Sequence, residues 1–519
     1  MNLQISVTGL AVWVALISTL ILAWRILNWA WLKPKKLERY LRRQGLSGNP
    51  YRLLSGDLKE MFDVSKQAIS KPLNLTDDIV PRVSPFFCNM MQKYGKNTFI
   101  WLGVVPRVIL RNPEHIKEVF IKINDFKKPG GNPLAKYLLT GLLTREGEKW
   151  VTHRRIINQA FLLEKLKNMV PAFCQSCSDL ISKWEEFVSV EEWCEVDVWP
   201  YLTDLTSDVI SRTAFGSSHQ EGRRIFQLQD ELAELTRQVL RSFYIPGLRF
   251  VPTKLNKRLT EINKEIQVSL RGIISKRERA MKAGEFSKND LLGILLEANS
   301  KEIQEHADKK NTGMSINDVI EECKIFYFAG QETTSVLLVW TMVLLAQHTN
   351  WQSRAREEVL QVFGKNKPDF DGLNQLKVVT MILYEVLRFY PPVVGLGRSV
   401  DKETRIGDLV LPAGVEVALP TIHIHRDPTF WGEDAGQFKP ERFADGVSKA
   451  MKNQVAFFPF AWGPRICIGQ NFALIEAKMA LSMMLQHFRF ELSPSYTHAP
   501  YLVITMRPQH GAHLILRKL

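Results

Sequence analysis

The sequence predicts a mainly α-helical fold with small β-sheets, built as one large body behind a single N-terminal transmembrane helix. Apolar residues repeat at helical spacing over long stretches, whereas strand-like runs are few and short. A length of 519 residues would allow three or four domains at ~150 residues each. Because no internal repeat and no Gly/Ser-rich linker divides the chain, we expect one large domain.

Composition and cysteine content exclude several classes of protein. With 45% hydrophobic, 10% aromatic and 24% charged residues, the chain is typical of a folded protein and not of a disordered, collagenous or coiled-coil one. Its six cysteines are too few and too scattered for a disulfide framework, which indicates a reducing compartment. The formal net charge is +14, so the placement of the basic residues needs an explanation.

An uncharged apolar run, residues 5–24, is the first element of the chain. About 20 residues at ~1.5 Å each cover the ~30 Å of bilayer hydrocarbon, so this run predicts a transmembrane helix. A secretory signal peptide is the alternative. It is disfavoured because no basic residue precedes the run and no small-x-small cleavage site follows it.

Basic residues follow this run closely. Between Arg25 and Arg52, eight basic residues and the single acid Glu38 give a local charge of 8 − 1 = +7. Positive charge beside a span marks its cytosolic end. Nucleic-acid binding or a solvated helix face are weaker alternatives, because no nucleic-acid module accompanies the cluster. We therefore divide the chain into an anchor (1–32), a basic membrane-proximal segment (33–60) and a cytosolic body (61–519).

Periodicity places the elements of the body. Strand-like runs lie at 98–110, 409–419 and 502–516. The stretch 420–466 is rich in Pro, Gly and aromatic residues, which predicts a long functional loop. The predicted helices lie at 148–188, 225–241, 255–283, 316–347, 351–363 and 376–389.

A cysteine stands at the start of a further helical run, 470–486. The segment before it, residues 460–469, has the sequence FAWGPRICIG. Backbone N–H groups and the positive end of the helix dipole would stabilise the thiolate of Cys467, and Arg465 would supply a cation to an anionic group nearby. A buried structural cysteine is the alternative, since that is the common fate of a free cysteine.

The pattern F-x-x-G-x-R-x-C-x-G in this segment resembles the haem-binding signature of the cytochrome P450 family. The resemblance favours a metal ligand over a structural cysteine. It implies a cytochrome P450-type haem domain for residues 61–519, haem b (iron protoporphyrin IX) as cofactor, and Cys467 as the axial ligand of the haem iron. It also implies that Phe460, Arg465 and Gly469 contact the haem.

A second match to the family is the segment YEVLR on the helix predicted at 376–389. Glu385 and Arg388 lie three residues apart on one helical face and could be an ordinary surface ion pair. Because the helix is otherwise apolar, we expect the pair to be buried and to need further partners. The resemblance to the family's E-x-x-R motif adds Arg442, from the segment PERF, as the third member of a structural triad.

The longest predicted helix, 316–347, begins at the capping pair Ser315 and Asp318. Its apolar second half predicts a buried core helix and not a second membrane span. The segment FAGQETT in its middle resembles the family's oxygen-activation motif. The resemblance implies that Glu332 and Thr333 are the catalytic residues that deliver protons to bound dioxygen.

Three further residues match positions that bind haem propionates in the family. Trp150 and Arg154 belong to the segment WVTHR, which is similar to the family's W-x-x-x-R helix. Arg398 follows the break at Pro391 and Pro392. The resemblance thus covers nearly the whole chain, in the family's order.

Membership of this family would imply partners and a location. The chain has no flavin fingerprint and no Gly-rich phosphate loop, so electrons would come from NADPH through NADPH–cytochrome P450 reductase. The expected location is the endoplasmic reticulum membrane, with a single span, a monomeric chain and the catalytic domain in the cytosol. Basic residues near Cys467 could meet an acidic reductase face: Lys149, Arg155, Lys439, Lys449 and Lys452.

The substrate class is suggested by resemblance to one branch of the family. Residues 35–57 and the C-terminal segments 490–496 and 511–514 resemble the plant branch that contains secologanin synthase, 7-deoxyloganate hydroxylase and oleanane triterpenoid oxidases. This implies a terpenoid substrate. The expected distal pocket, built from 130–139, 326–329, 393–396 and 502–503, is mostly apolar, which favours a triterpenoid over a seco-iridoid. Its principal candidates are Ala329, Val393, Val394 and Leu502.

Two other functions remain open at this point. A haem-thiolate isomerase or dehydratase would need no reductase, and a non-catalytic haem-binding protein would need no proton relay. Two rival metal sites are weak. Cys174 and Cys177 have no second cysteine pair, and His423 and His425, expected on one strand face, lack further ligands.

Overall fold

The computed structural model describes residues 7–188, 192–216, 219–241, 244–283, 290–305, 313–451 and 455–519. Helices predominate, as predicted. The α-helices are α1 (Val7–Leu27), α2 (Lys33–Arg43), α3 (Leu58–Ala68), α4 (Val80–Val83), α5 (Pro85–Tyr94), α6 (Pro113–Ile121), α7 (Gly147–Asn158), α8 (Leu163–Lys167), α9 (Val170–Val188), α10 (Val198–Phe215), α11 (His219–Arg241), α12 (Lys254–Lys282), α13 (Leu291–Glu305), α14 (Ile316–Gln347), α15 (Thr349–Phe363), α16 (Phe370–Gln375), α17 (Val378–Phe389), α18 (Thr421–His425), α19 (Pro428–Trp431) and α20 (Gln470–His487).

The strands are short and form four small sheets. A five-stranded sheet has the order β1-β2-β8-β5-β3, a three-stranded sheet the order β4-β12-β9, and two pairs are β6-β7 and β10-β11. The strand bounds are β1 (Thr98–Leu102), β2 (Val105–Ile109), β3 (Phe126–Lys127), β4 (Trp193–Asp197), β5 (Leu396–Val400), β6 (Thr404–Ile406), β7 (Leu409–Leu411), β8 (Glu416–Leu419), β9 (Phe488–Leu492), β10 (Pro500–Leu502), β11 (Met506–Pro508) and β12 (His513–Lys518).

Helix α14 is the centre of the body. It begins at the predicted capping box, in which Ser315 and Asp318 bond each other's backbone N–H. Of its most apolar window, 83% is buried, as expected for a core helix. It packs against α10, α17 and α20, so the large apolar core surrounds it.

The N-terminal helix extends away from this core. Helix α1 continues through the π-helical turn Asn28–Leu32 into α2, and none of the most apolar window of this helix is buried. It is therefore consistent with a membrane anchor. Residues 5 and 6 of the predicted span lie outside the described residues.

The basic segment that follows the anchor packs onto the body. Leu41 and Leu46 are buried in a second core cluster with Trp101 of β1. The hydroxyl of Tyr51 donates to the carbonyl oxygen of Ala30 at 2.6 Å. This contact ties the base of the anchor helix to the body.

Three local predictions differ from the structure. The stretch 148–188 is divided into α7, α8 and α9, because Pro171 fits only the first turn of a helix. The run 409–419 is divided between two sheets, with β7 paired to β6 and β8 joined to β5 and β2. The run 502–516 is likewise divided, because β11 pairs with β10 while β12 lies between β4 and β9.

The predicted loop 420–466 also contains more structure than expected. Helices α18 and α19 and several 3-10 turns follow one another there. His423 and His425 therefore lie on α18 and not on a strand. Among the described residues no cluster of metal-ligating side chains is found, and Cys174 and Cys177 lie on α9.

Candidate active site

The segment before α20 folds into a closed loop around Cys467. The N–H of Cys467 donates to the carbonyl oxygen of Phe460 at 2.8 Å. Gly463 has φ +72°, and a Cβ there would lie 3.0 Å from the carbonyl oxygen of Phe120. The glycine of the motif is therefore required both by its backbone conformation and by a close approach to α6.

Cys467 lies deep in the protein, yet its side chain has accessible surface. Its sulfur is therefore accessible to a bound group. Burial raises the pKa of the thiol, whereas a hydrogen bond from Gly469 and the charge of Arg154 act in the opposite direction. The loop therefore stabilises the thiolate only in part. A metal cation would supply the rest, because a thiol bound to a metal is deprotonated.

Gly469 caps α20 with φ −87°. Its absent Cβ would lie 3.9 Å from the Cys467 sulfur, which is ordinary contact. No backbone strain demands glycine here, so the predicted close approach of a haem remains a prediction.

Helix α14 is accessible at one place in its middle. Ala329 is exposed and Gly330 and Thr333 are half-buried, although the residues on either side are buried. The ring of Phe161 packs edge-to-face on Phe326 of α14 and on Phe472 of α20, with centroids 6.0 Å and 6.4 Å apart. These contacts bring the accessible part of α14 to the same region of the molecule as the start of α20.

The hydroxyl of Thr333 donates to the carbonyl oxygen of Ala329 at 2.7 Å. This is the intrahelical bond expected of a mid-helix threonine. Gly330 lets α10 approach closely, because a Cβ there would lie 2.9 Å from Ile210.

Glu332 points to a different partner. Its carboxylate accepts hydrogen bonds from the hydroxyl of Thr505 and from the guanidinium of Arg507, with the Arg507 Nε at 2.6 Å. Arg507 also contacts Asp230 at 3.5 Å. The structure thus places Glu332 in a buried ion pair with the C-terminal β10-β11 pair, and its predicted role as a proton donor remains a prediction.

Three cations meet beside the Cys467 loop with one acid between them. Arg398 is buried at 2% exposure and Arg465 at 9%. The backbone N–H of Lys128 donates to Glu146 at 2.8 Å, and Arg465 forms an ion pair with the same carboxylate. With all four groups ionised, their formal charge is 3 − 1 = +2.

The excess positive charge is visible in the pKa values. Burial, Arg398 and Arg465 together lower the pKa of Lys128 to about 7. Burial and Arg465 lower the pKa of Arg398 to about 10, and the Nε of Arg465 has no hydrogen-bond partner. A buried cluster that lacks two negative charges fits the two propionates of haem b. The residues present therefore fit this cofactor.

The other predicted propionate residues lie at the same cluster. The guanidinium of Arg465 stacks on Trp150 at 4.4 Å from the ring centre. Arg154 donates to the carbonyl oxygen of Ile466 at 2.8 Å, so it supports the loop directly. Sequence analysis missed Lys128, which has no motif of its own and becomes notable only beside Arg398.

The predicted triad is present and buried. Arg388 forms two hydrogen bonds of 2.7 Å to Glu385, and both side chains are 0% exposed. Arg442 lies 3.5 Å from the same carboxylate. Arg388 also donates to the carbonyl oxygens of residues 425, 435 and 437 at 2.8–2.9 Å.

His425 connects this triad to the cysteine loop. Its Nε2 accepts a hydrogen bond from the N–H of Phe458 at 3.0 Å. Burial and the nearby Arg388 lower its pKa to about 3, so the ring stays neutral and can accept. The sequence suggested His425 only as a weak candidate metal ligand, and no local signal pointed to its bond with Phe458, which lies 33 residues further along the chain.

The expected pocket residues come from separate elements. Val393 and Val394 are half-buried before β5, and Leu502 is half-buried on β10. The N–H of Met506, which pairs with Leu502, donates to the carbonyl oxygen of Pro392 at 3.1 Å. This bond brings the two segments together, while their contact with a substrate remains a prediction.

The candidate reductase contacts are surface residues with local partners. Lys149, Arg155 and Lys439 are about half exposed and pair with Asp318, Glu302 and Asp434. Lys449 is exposed, and Lys452 lies outside the described residues.

An accessible cysteine before the start of a helix, beside a cationic cluster, is the arrangement expected of a haem-thiolate protein. The chain matches the family described as Cytochrome P450 over residues 81–511. It is 59% identical to Cytochrome P450 CYP72A219 of Panax ginseng over 97% of this chain and 98% of that one. It is 58% identical to Cytochrome P450 72A13 of Arabidopsis thaliana over 100% of both chains. The chain belongs to the cytochrome P450 family.

A solved structure shares the fold. The retinoic acid-bound cyanobacterial CYP120A1 matches with a TM-score of 0.75 and 24% identity, over 91% of this chain and 99% of that one. This likeness shows the fold. Membership of the family confirms the predictions of a haem cofactor and of a monooxygenase, and the two relatives named above are plant proteins.

Proposed function

We propose that this cytochrome P450 oxidises a terpenoid, such as an oleanane triterpenoid or a seco-iridoid, and that the residues around Cys467 perform the family's chemistry. When bound, a thiolate-ligated haem activates dioxygen for insertion into a substrate C–H bond. The observation that supports this proposal is that Cys467 and the middle of α14 both have accessible surface in the region where Phe161 contacts α14 and α20.

Each side chain has a defined task in this proposal. Cys467 would bind the haem iron, with Gly469 and Arg154 stabilising its anion. Arg398, Arg465 and Lys128 would hold the haem propionates, and the ring of Trp150 packs against Arg465. Thr333 holds and passes a proton on the distal side, where its hydroxyl is accessible.

The role of Thr333 is tested by Thr333→Ala. We expect haem content to be unchanged and the product formed per NADPH to fall about tenfold, with peroxide made instead. The expected loss of coupling is smaller than the ~10²–10⁴-fold that a well-placed proton donor contributes, because water can occupy the position of the lost hydroxyl. The measurement is product, peroxide and NADPH in reconstituted membranes.

A matched control lies two turns further along the same helix. Thr341 makes the same bond, to the carbonyl oxygen of Leu337 at 2.7 Å, but is fully buried in the core. Thr341→Ala should leave coupling unchanged. Equal coupling in wild type and Thr333→Ala would contradict the relay.

Support for a terpenoid comes from residues 35–57 and from the C-terminal segments that resemble the terpenoid-oxidising branch. The pocket candidates Ala329, Val393, Val394 and Leu502 are apolar or small, which suits a large hydrocarbon skeleton. A triterpenoid is favoured over a glycosylated seco-iridoid because these four side chains offer no hydrogen-bond partners to a sugar.

The substrate is identified by feeding terpenoids to membranes that contain the protein and its reductase. We expect NADPH-dependent addition of oxygen to at least one oleanane, seen by mass spectrometry. Oxidation confined to compounds of another class would contradict the proposal, as would conversion without NADPH, which would indicate an isomerase or dehydratase.

We place the protein in the endoplasmic reticulum membrane as a monomer with one span and a cytosolic body. The local charge of +7 after the span supports this orientation. The same reading divides the chain into an anchor (1–32), a basic membrane-proximal segment (33–60) and a cytosolic body (61–519). NADPH–cytochrome P450 reductase, the family's usual partner, would dock near five basic residues: Lys149, Arg155, Lys439, Lys449 and Lys452.

A further inference from the structure

Two buried side chains join helix α7 to helix α14. His153 lies on α7, directly before Arg154, and Glu322 lies in the second turn of α14. Both side chains are 0% exposed, and the Nδ1 of His153 lies 2.7 Å from the Oε1 of Glu322. Neither residue has a task in the site described above, so their burial as a polar pair needs an explanation.

Glu322 is surrounded by donors from one short segment of the chain. The N–H of Leu142 donates to its Oε2 at 2.7 Å, and the Nε of Arg145 lies 3.4 Å from its Oε1. An ionised carboxylate only accepts hydrogen bonds, so the Nδ1 of His153 carries the proton in this pair. Because the loss of any donor would leave a buried charge short of partners, a single acid of α14 holds the whole segment 142–153 in place.

The pair His153–Glu322 is the inner contact between this segment and α14. Asp318, one turn earlier, binds the Nη2 of Arg145 at 2.5 Å and the Nζ of Lys149 at 2.8 Å. The Lys149 side chain is 54% exposed, so water competes for this outer contact and weakens it. At 0% exposure, water cannot replace a lost partner of Glu322.

The same segment holds the cationic cluster. Arg465 donates to the carbonyl oxygen of Arg145 at 3.0 Å and forms an ion pair with Glu146. Its guanidinium packs against Trp150. Glu146 also receives the N–H of Lys128 at 2.8 Å. The places of Arg465 and Lys128 therefore depend on where this segment stands relative to α14.

Helix α7 also reaches the cysteine loop. Consecutive residues of an α-helix point about 100° apart, so His153 can face α14 while Arg154 faces the loop. Arg154 donates to the carbonyl oxygen of Ile466 at 2.8 Å, and Ile466 directly precedes Cys467. A shift of α7 away from α14 would therefore disturb the loop as well as the cationic cluster.

We propose that His153 and Glu322 are positioning residues. They hold α7 on α14 and thereby keep Arg465 where it binds a haem propionate and Arg154 where it supports the Cys467 loop. The inference rests on the proposed binding of the propionates at the cationic cluster, and it is independent of the substrate. Its consequences are therefore expected in haem retention and in the haem potential, which are measured without a substrate.

Haem transfer from the haem-loaded full chain in nanodiscs to an excess of apomyoglobin measures how firmly the cofactor is held. We expect His153→Leu to release haem about tenfold faster than wild type, because a hydrogen bond to a charged group contributes about that factor. The midpoint potential of the haem should also become more negative, because a displaced Arg465 would neutralise the propionates less. His153→Asn should restore most of both properties, because its amide N–H lies near the position of the lost Nδ1–H.

The acid is tested by Glu322→Gln, which keeps an acceptor for Leu142 but removes the charge. We expect haem release about two- to fivefold faster than wild type, because a hydrogen bond between neutral groups is weaker than one to an ion. Added to His153→Leu, this change should have little further effect, because both changes break the same bond. Glu322→Gln also keeps the test valid if His153→Leu does not fold.

Gln352→Leu is the matched control for general destabilisation. Gln352 is 2% exposed and donates to the carbonyl oxygens of Leu345 and Phe490 at 3.1 Å and 2.8 Å. It is thus a buried polar residue that holds the opposite end of α14, since Leu345 lies about 35 Å from Glu322 along the helix axis. We expect this variant to unfold at lower urea concentration but to keep the haem release rate and the potential of wild type.

Arg398→Ala removes a cation of the cluster directly and so separates the possible outcomes. Faster release from Arg398→Ala with unchanged release from His153→Leu would overturn the positioning role and leave the propionate assignment intact. Unchanged release from both would overturn the assignment and this inference with it. Equal acceleration by His153→Leu and Gln352→Leu would also contradict positioning. Faster release from His153→Leu that His153→Asn reverses would support the pair even if no terpenoid is oxidised.

Discussion

Replacement of Cys467 by alanine is expected to abolish the thiolate-type absorption band of the reduced carbon-monoxide complex and all monooxygenase activity. Burial raises the pKa of this thiol, whereas the N–H of Gly469 and the charge of Arg154 act against that effect, and an iron ion would stabilise the thiolate further. No other cysteine of the described chain stands beside the cationic cluster. The measurement is the difference spectrum of purified protein, together with haem content.

Cys174→Ala is the matched control for this variant. Cys174 is half-buried on α9, so its loss should leave the band and the activity intact. A thiolate-type band that persists in Cys467→Ala would show that the ligand assignment is wrong.

Replacement of Arg388 by alanine is expected to destabilise the protein by about 3–5 kcal/mol, the usual cost of removing one partner from a buried ion pair. Glu385, at 0% exposure, would lose both hydrogen bonds from Arg388 and keep only the longer contact with Arg442 at 3.5 Å. Three backbone carbonyls would also lose their donor. Urea unfolding followed by circular dichroism measures the change, and haem content should fall with it because His425 links this network to the cysteine loop.

An exposed ion pair with the same fork geometry provides the control. Arg224 bonds Glu265 through its Nε at 2.6 Å and its Nη2 at 3.1 Å, but the two side chains are 57% and 42% exposed. Arg224→Ala should therefore change unfolding little. Equal destabilisation by both variants would contradict the view that burial makes the Arg388 pair important.

The placement of charge explains much of the net +14. A local +7 follows the anchor helix, and a formal +2 lies at Lys128, Arg398, Arg465 and Glu146, where we propose that the haem propionates bind. The basic character of the chain thus has distinct physical causes at distinct sites.

Some sequence expectations failed for a common reason. The strand-like runs 409–419 and 502–516 do contain strands, but each run contributes to two different sheets. The hydrophobic pattern of a sequence predicts which residues are extended or helical. Which strands pair with each other depends on segments that lie far apart in the chain.

The sequence by itself predicted the N-terminal apolar helix, the mainly helical fold, the family, the signature cysteine Cys467 and the burial of the pair Glu385–Arg388. Each of these depends on residue spacing within short segments. Only the tertiary structure decided which charges meet. Lys128 joins Arg398 and Arg465, His425 receives the N–H of Phe458, and Glu332 binds Arg507, over separations of 33 to 337 residues. Coulomb energy and desolvation depend on distance and burial in space, and neither can be obtained from spacing along the chain.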